Sequence, residues 1–231
     1  MKKYEVVFMD LDHTIWDFER NANETLVELF KEYRVGEEKG VDDKEFIRVF
    51  HRENDRLWEK YDRKEIGRKE IREQRFKNIL TEVNPGLLHL SDEIAHNFLS
   101  RCPEKTQLFP HAVEVLESLY QKYKLVVITN GFDEIQYKKL ANSKIDHFFD
   151  EVVTSERAGY RKPEKEIFHF ALQLSKVRED EAIMVGDNLI ADIRGANAVN
   201  IDSVFFNPGK VQHKEKVAYE IHGLKELLDI L

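Results

Sequence analysis

Val6-Val7-Phe8-Met9-Asp10-Leu11-Asp12-His13-Thr14 is an apolar run that ends in two acids spaced one apart. Four large apolar residues without alternation suit a strand buried on both faces. Such a strand carries Asp10 and Asp12 to its polar end, where two close carboxylates repel unless a cation or a shared proton offsets them. The same residues also suit a strand followed by an Asx turn, so the partners must come from elsewhere in the chain.

Working outward, the apolar period changes after Thr14 from two to about 3.6 and stays helical for roughly ninety residues. Leu26, Leu29, Phe30 and Tyr33 form one face, with Gly36 as a stop. Asp42 and Glu45 have capping-box spacing ahead of Phe46, Val49, Phe50, Leu57 and Tyr61. Ile71, Phe76, Ile79 and Leu80 mark a third helix. Pro85-Gly86 breaks the chain, Ser91 is the expected N-cap of a fourth helix, and Pro103 closes it. From Phe109 strands and helices alternate, which implies parallel pairing with crossover helices. The expected strands are Leu125–Ile128, Glu151–Thr154, Ala182–Val185 and Ser203–Phe206. Helices are expected near Pro110–Tyr123, Phe132–Ala141, Pro163–Leu174 and Leu189–Val199, with a closing helix carrying Ile221, Leu224, Leu227 and Leu228. The prediction is a doubly wound, Rossmann-like α/β core over residues 1–16 and 106–231, interrupted by a helical insert over 17–105.

Composition narrows the function. The chain has 231 residues, 42% hydrophobic and 35% charged, as in a globular protein. Lys+Arg 36 against Asp+Glu 44 leaves a net charge of −8, which argues against a polymeric nucleic acid as partner and leaves small phosphorylated molecules open. Cys102 is the single cysteine and excludes an intramolecular disulfide. No apolar run approaches the ~20 residues of a membrane span, and Lys2-Lys3 is followed by Glu5 and Asp10 where a secretory signal needs an apolar stretch. A cytoplasmic protein is expected. Nothing in the sequence sets an oligomeric state.

Ligands of such sheets bind beyond the carboxyl ends of the strands. The polar residues collected there are Asp10 and Asp12, Thr129 and Asn130, Lys162 at a helix entry, and Asp187 with Asp192. Singly, each has an ordinary reading as a cap, a solvated lysine, a turn residue or a first-turn acid. Together they meet the needs of phosphoryl transfer: a nucleophile, neutralisation of phosphoryl oxygens, a proton for the leaving oxygen, and Mg²⁺. Asp10, at the strand end, is the expected nucleophile. Asp12 is the expected general acid, its proton kept available by the neighbouring negative charge. Thr129, the backbone N–H groups around Asn130, and Lys162 are expected to hold phosphate. Asp187 joins Asp10 in offering hard oxygens to Mg²⁺, and Asp192 either ligates directly or orients other ligands.

Asp10-Leu11-Asp12-His13-Thr14, Thr129-Asn130, Lys162-Pro163 and Gly186-Asp187 through Asp192 resemble, in order, the four motifs of the haloacid dehalogenase-like (HAD) hydrolases. The resemblance implies a sheet order of 5-4-1-2-3 and a helical cap inserted after the first motif. It also implies Mg²⁺ held by the Asp10 side chain, the Asp12 backbone carbonyl and Asp187, with Asp10 as nucleophile and Asp12 as acid/base. Dehalogenases of the family lack an acid at the Asp12 position, so phosphate chemistry is favoured. Thr129-Asn130-Gly131-Phe132, Ser155-Glu156 to Phe168, and Met184-Val185-Gly186-Asp187 resemble the pyrimidine 5′-nucleotidases of the family. So do Trp58, Tyr61, Arg75 and Phe76 in the insert, and Trp16-Asp17-Phe18. Substrate selection is expected from Trp16, Phe18, Trp58, Tyr61 and Arg68, although Trp58 and Tyr61 share a helical face that also suits packing within the insert. The expected substrate is a small phosphomonoester, a nucleoside 5′-monophosphate. The alternatives are a sugar-phosphate or phosphoglycolate phosphatase, a phosphomutase, or a receiver-like domain whose aspartyl-phosphate does not turn over.

Overall fold

The structure is a computed structural model that describes residues 4–37 and 39–231, so Lys2-Lys3 of the leader argument lie outside it. Contacts divide the chain into two compact units, Met1–Phe18 with Thr106–Leu231, and Glu19–Lys105.

The first unit is built on a six-stranded parallel sheet. Its strands are β1 (Val6–Met9), β2 (Lys124–Thr129), β3 (Glu151–Thr154), β4 (Ala182–Gly186), β5 (Asp202–Phe206) and β6 (Tyr219–Ile221), in the order β3-β2-β1-β4-β5-β6. Read from the other edge, this is the expected 5-4-1-2-3 with one further strand outside β5. That strand corrects the sequence reading, because Ile221 lies in β6 and the closing helix shrinks to a short turn and Leu227–Ile230. All four residues of β1 are buried, as a central strand covered on both faces requires. In register, Met9 pairs with Val127 on one side and Val185 on the other, so Asp10 emerges between the ends of β2 and β4.

The second unit is helical. It comprises α1 (Phe18–Glu32, whose first residue belongs to the sheet unit), α2 (Asp43–Asp62), α3 (Arg68–Val83) and α4 (Ser91–Arg101). The Asp42 carboxylate accepts the Glu45 N–H at 2.8 Å and caps α2, a contact worth about 1 kcal/mol. Phe50, Phe76 and Phe98 meet with ring centroids 4.9 to 5.9 Å apart at the centre of the bundle. Ser91 is the first helical residue after a 3₁₀ turn at Pro85–Leu90 rather than the N-cap.

The remaining helices return to the sheet: α5 (Ala112–Tyr120), α6 (Asp133–Asn142), the single turn α7 (Ser155–Ala158) and α8 (Lys165–Ser175). Ile167, Phe168, Ala171 and Leu172 of α8 pack on Val6, Phe8, Val126 and Ile128. Each fully buried Ile or Phe contributes about 1.5–3 kcal/mol to that layer. The segment after β4 departs from the expected regular helix, because Leu189–Arg194 is a π-helical turn followed by three α-helical residues.

Where the chain leaves the sheet unit and re-enters it, the two passages run side by side. Trp16 bridges Leu108 in antiparallel fashion, the Asp17 N–H donates to Gln107 O at 3.1 Å, and the Phe109 N–H donates to Ile15 O at 2.9 Å. Among the described residues no helix is long and apolar enough to cross a membrane.

Candidate active site

Asp10 is fixed by the sheet itself, since its N–H donates to Val185 O at 2.9 Å. The chain then folds back, with the N–H groups of Ile15 and Trp16 both donating to Leu11 O at 3.0 and 2.8 Å. This turn aims Thr14 at the site. Its hydroxyl lies 3.1 Å from Asp187 Oδ1 and 3.5 Å from Asp10 Oδ2. Having one hydrogen, it donates to the nearer acid.

Lys162 is the pivot of the cluster. It is 2% exposed, and its ammonium donates to Asp10 Oδ1 and, at 2.6 Å, to Asp192 Oδ1. Its backbone is gripped by one amide: the Lys162 N–H donates to Asn130 Oδ1 at 2.7 Å, and Asn130 Nδ2 donates to Lys162 O at 2.9 Å. The expectation for Asn130 is refined accordingly, as its side chain holds the lysine-bearing loop. Asp192 is placed by the π-helical turn. Asn188 Oδ1 caps that turn by accepting the Ile190 and Ala191 N–H groups at 2.9 Å, and the Asn188 N–H donates to Asp192 Oδ2 at 3.0 Å. A Cβ on Gly186 would sit 2.2 Å from Asp192 Oδ2, so only glycine lets this carboxylate approach the end of β4.

Asp12 faces a different set of groups. Lys139 Nζ donates to its two oxygens at 2.5 and 2.8 Å, and Gln136 Nε2 donates to Oδ2 at 2.9 Å. Both partners are buried on α6. Gln136 uses its second amide hydrogen on Thr129 Oγ1 at 3.3 Å, which also accepts the Gly131 N–H at 3.0 Å. The ammonium of Lys139 stands 4.4 Å from the Trp16 ring and 5.8 Å from that of Phe18.

Burial pushes the Asp10 carboxyl up to about 7; Lys162 opposes the rise, while the charges of Asp192 and Asp12 add to it. Burial and the charge of Asp10 take Asp187 up to about 6, and burial likewise raises Asp192. For Lys162, burial works against the ammonium but Asp10 and Asp192 overcome it and raise its pKa. Asp12 goes the other way: burial would raise it, yet Lys139 and Gln136 outweigh burial and lower it. This corrects the expectation that a negative neighbour keeps a proton on Asp12, since the group that governs it is the Lys139 ammonium. Asp10, Asp187 and Asp192 each offer a carboxylate oxygen within 4.8 Å of the others. Three clustered carboxylates against one ammonium leave an excess of negative charge. Hard oxygens in this arrangement fit a divalent cation such as Mg²⁺. Asp192 already spends one oxygen on Lys162 and the other on the Asn188 N–H, whereas Asp187 receives only the Thr14 hydroxyl among the contacts described above.

The structure thus brings together Asp10, Lys162, Asp187 and Asp192, and Gln136 ties Asp12 to Thr129. Trp16 is fully buried against Lys139, which corrects its assignment to substrate selection. Phe18 is half-buried. Trp58 and Tyr61 belong to the helical unit, where their rings meet edge-on at 5.3 Å and Tyr61 is buried, as in the packing alternative. Arg68 opens α3. Thr14, Gln136, Lys139 and Asn188 were not anticipated as site residues. Thr14 stood within the opening stretch itself, and Gln136 and Lys139 share a face of α6 at a spacing of three.

Residues 7–206 match the haloacid dehalogenase-like hydrolase family. Over 237 residues, 99% of this chain and 95% of the relative, the sequence is 28% identical to pyrimidine 5′-nucleotidase PynA of Streptococcus pneumoniae. The magnesium-bound crystal structure of the HAD-hydrolase YfnB of Bacillus subtilis superposes with a TM-score of 0.89, at 28% identity and 99% coverage of both chains. Glyceraldehyde 3-phosphate phosphatase of Pyrococcus furiosus is 39% identical over 114 residues, which are 47% of this chain and 48% of that one.

Proposed function

The chain belongs to the haloacid dehalogenase-like hydrolases, and from that premise we propose that it is a Mg²⁺-dependent phosphomonoesterase acting on nucleoside 5′-monophosphates through Asp10. The observation that carries the reading is the buried acid trio of Asp10, Asp187 and Asp192 around the Lys162 ammonium, at the end of the central strand. A carboxylate fixed by the sheet is a competent nucleophile. As an Asp10 oxygen bonds to phosphorus, the ester P–O bond breaks; water then attacks the same phosphorus, releasing phosphate and restoring Asp10. Lys162 balances the charge of the phosphoryl oxygens. The Thr129 hydroxyl accepts from Gly131 and Gln136, which leaves its own hydrogen for a phosphoryl oxygen. Asp10 and Asp187, with the Asp12 backbone carbonyl, would hold Mg²⁺, which would supply positive charge to the phosphoryl oxygens.

In the reaction Asp12 carries a proton that it gives to the departing alcohol oxygen and then regains from the attacking water; the Lys139 ammonium beside it lowers its pKa and so makes it the stronger acid for the first transfer. Residues 19–105 are proposed as the cap that selects the substrate. The nucleotide reading is supported by the full-length likeness to PynA. A sugar-phosphate substrate is the second reading, supported by the archaeal phosphatase over about half of this chain.

The test is a phosphate-release screen over nucleoside monophosphates, sugar phosphates and phosphoglycolate, with Asp10→Asn as the control. Turnover by Asp10→Asn removes the nucleophile assignment. Equal rates on all three classes remove the nucleotide reading and leave the phosphatase intact. A stable phosphoprotein without turnover restores the receiver-like alternative.

A further inference from the structure

Among its described residues, the helical unit buries a cation beside which no carboxylate stands. Arg75, on α3, is 6% exposed. Its guanidinium carbon lies 5.8 Å from the ring centroid of Phe50 and 5.7 Å from that of Phe98. The rings meet the π face of the guanidinium, but its N–H donors lie in the plane and require oxygens. The Nε–H is buried with no acceptor, and among the described residues the guanidinium makes no ion pair.

The neighbourhood deepens the deficit. Burial, reinforced by the like charge of Arg72 one turn earlier, brings Arg75 down to about 10, and the group pulling the other way is the Cys102 thiol rather than a carboxylate. Glu53, a buried acid of the same bundle, is already committed: its Oε2 accepts from Arg56 at 2.7 Å and from Asn78 at 3.4 Å. A guanidinium kept only for packing against Phe50 and Phe98 gains nothing from its charge and loses the hydration of its Nε–H. An arginine in such a place is explained by an oxygen ligand that its planar edge can grip with two parallel hydrogen bonds.

We propose that Arg75 is the centre of an oxyanion site within the helical unit, taking a tetrahedral anion of the phosphate or sulfate class on its guanidinium, with Arg72 adding positive potential. The site is made of residues in 19–105 alone and does not depend on the phosphatase reading. A free inorganic ion and the phosphate of a larger molecule present the same chemistry, and the test separates them.

The full-length protein, ¹⁵N-labelled and Mg²⁺-free at fixed ionic strength, is titrated in parallel with inorganic phosphate, sulfate and a nucleoside monophosphate. The Arg75 Nε–Hε resonance is followed beside the backbone amides of Asn130 and Gly131. The expected result is a saturable shift of the Arg75 resonance, with a midpoint of its own that weakens about threefold or more in Arg72→Gln while the core amides keep theirs. A shift with inorganic ions supports a free oxyanion at the site. A shift with the nucleotide alone supports a phosphate carried by an organic molecule. The proposal is overturned if the Arg75 resonance stays still in all three titrations, or if it only follows the core amides with their midpoint in both proteins. Because the resonance is read in the unaltered protein, a folding defect in a variant does not decide the outcome.

Discussion

Replacing Lys139 by Met tests whether the ammonium gripping Asp12 helps to hold the sheet unit together. Met keeps the apolar stem that packs beneath the charge, so little cavity is expected. What is lost is the contact to both oxygens of Asp12 at 2.5 and 2.8 Å, leaving that carboxylate with Gln136 Nε2 at 2.9 Å. Orphaning one partner of a fully buried pair costs about 3–5 kcal/mol. The Asp12 side chain retains 25% of its exposure, so water recovers part of the loss, and the expected destabilisation is about 2 kcal/mol. Asp12→Asn strands the Lys139 ammonium at 5% exposure and costs a similar amount, partly offset by its position over Trp16, worth about 0.5–2 kcal/mol. The double variant has no charge left to orphan, so the cycle is expected to show a coupling of about 1–2 kcal/mol. Urea unfolding followed by tryptophan fluorescence measures it. The chain has two tryptophans, and in a Trp58→Phe background Trp16 alone reports, from directly beneath Lys139. At a slope of roughly 2 kcal/mol/M, each single variant moves the midpoint down by about 1 M. Additive effects, or single-variant shifts below about 0.3 kcal/mol, refute the pairing as a stabilising contact.

Asn130→Ala removes both hydrogen bonds that hold the Lys162 backbone, and phosphate release is expected to fall about 100-fold in kcat; an unchanged kcat means that the lysine finds its place without that grip. Gly186→Ala puts a methyl group 2.2 Å from Asp192 Oδ2, with an expected loss of about 2 kcal/mol in the Trp16-monitored urea transition, and a wild-type midpoint contradicts the close approach. Saturating Mg²⁺ should stabilise the protein by about 2.7 kcal/mol at a concentration 100 times its Kd, which is roughly 5–10 °C in Tm. Asp187→Asn should abolish that rise, and a rise that survives in the variant places the ion elsewhere.

The central strand was legible because a strand covered on both faces is apolar at every position, and its end is marked by the first charge. The strand-end acids could be gathered for the same reason. Other features were hidden by physics that a single sequence does not display. Tyr219-Glu220-Ile221 is a three-residue edge strand with two exposed side chains, and its leucine-rich sequel mimics a helical face. Lys139 and Gln136 read as the solvated side of a helix, the usual place for such residues. They are buried because they meet Asp12, 127 and 124 positions away, across two elements. The likeness of Trp16-Asp17-Phe18 to the nucleotidases suggests a role for Trp16 in recognition, yet the fold-back onto Leu11 turns its ring into the core.

The paired passages at Ile15–Asp17 and Gln107–Phe109 have a consequence for how this protein tolerates change in length. The insert enters and leaves through neighbouring, hydrogen-bonded residues, so the sheet unit meets it as a loop whose ends are already fastened together. The entropy of closing such a loop grows only with the logarithm of its length, about 0.6 kcal/mol for each doubling. The thermodynamic stability of the α/β unit is therefore almost blind to how many residues are spliced in at that point. Lengthening, trimming or exchanging the spliced segment is expected to leave the folding of the sheet unit nearly unchanged.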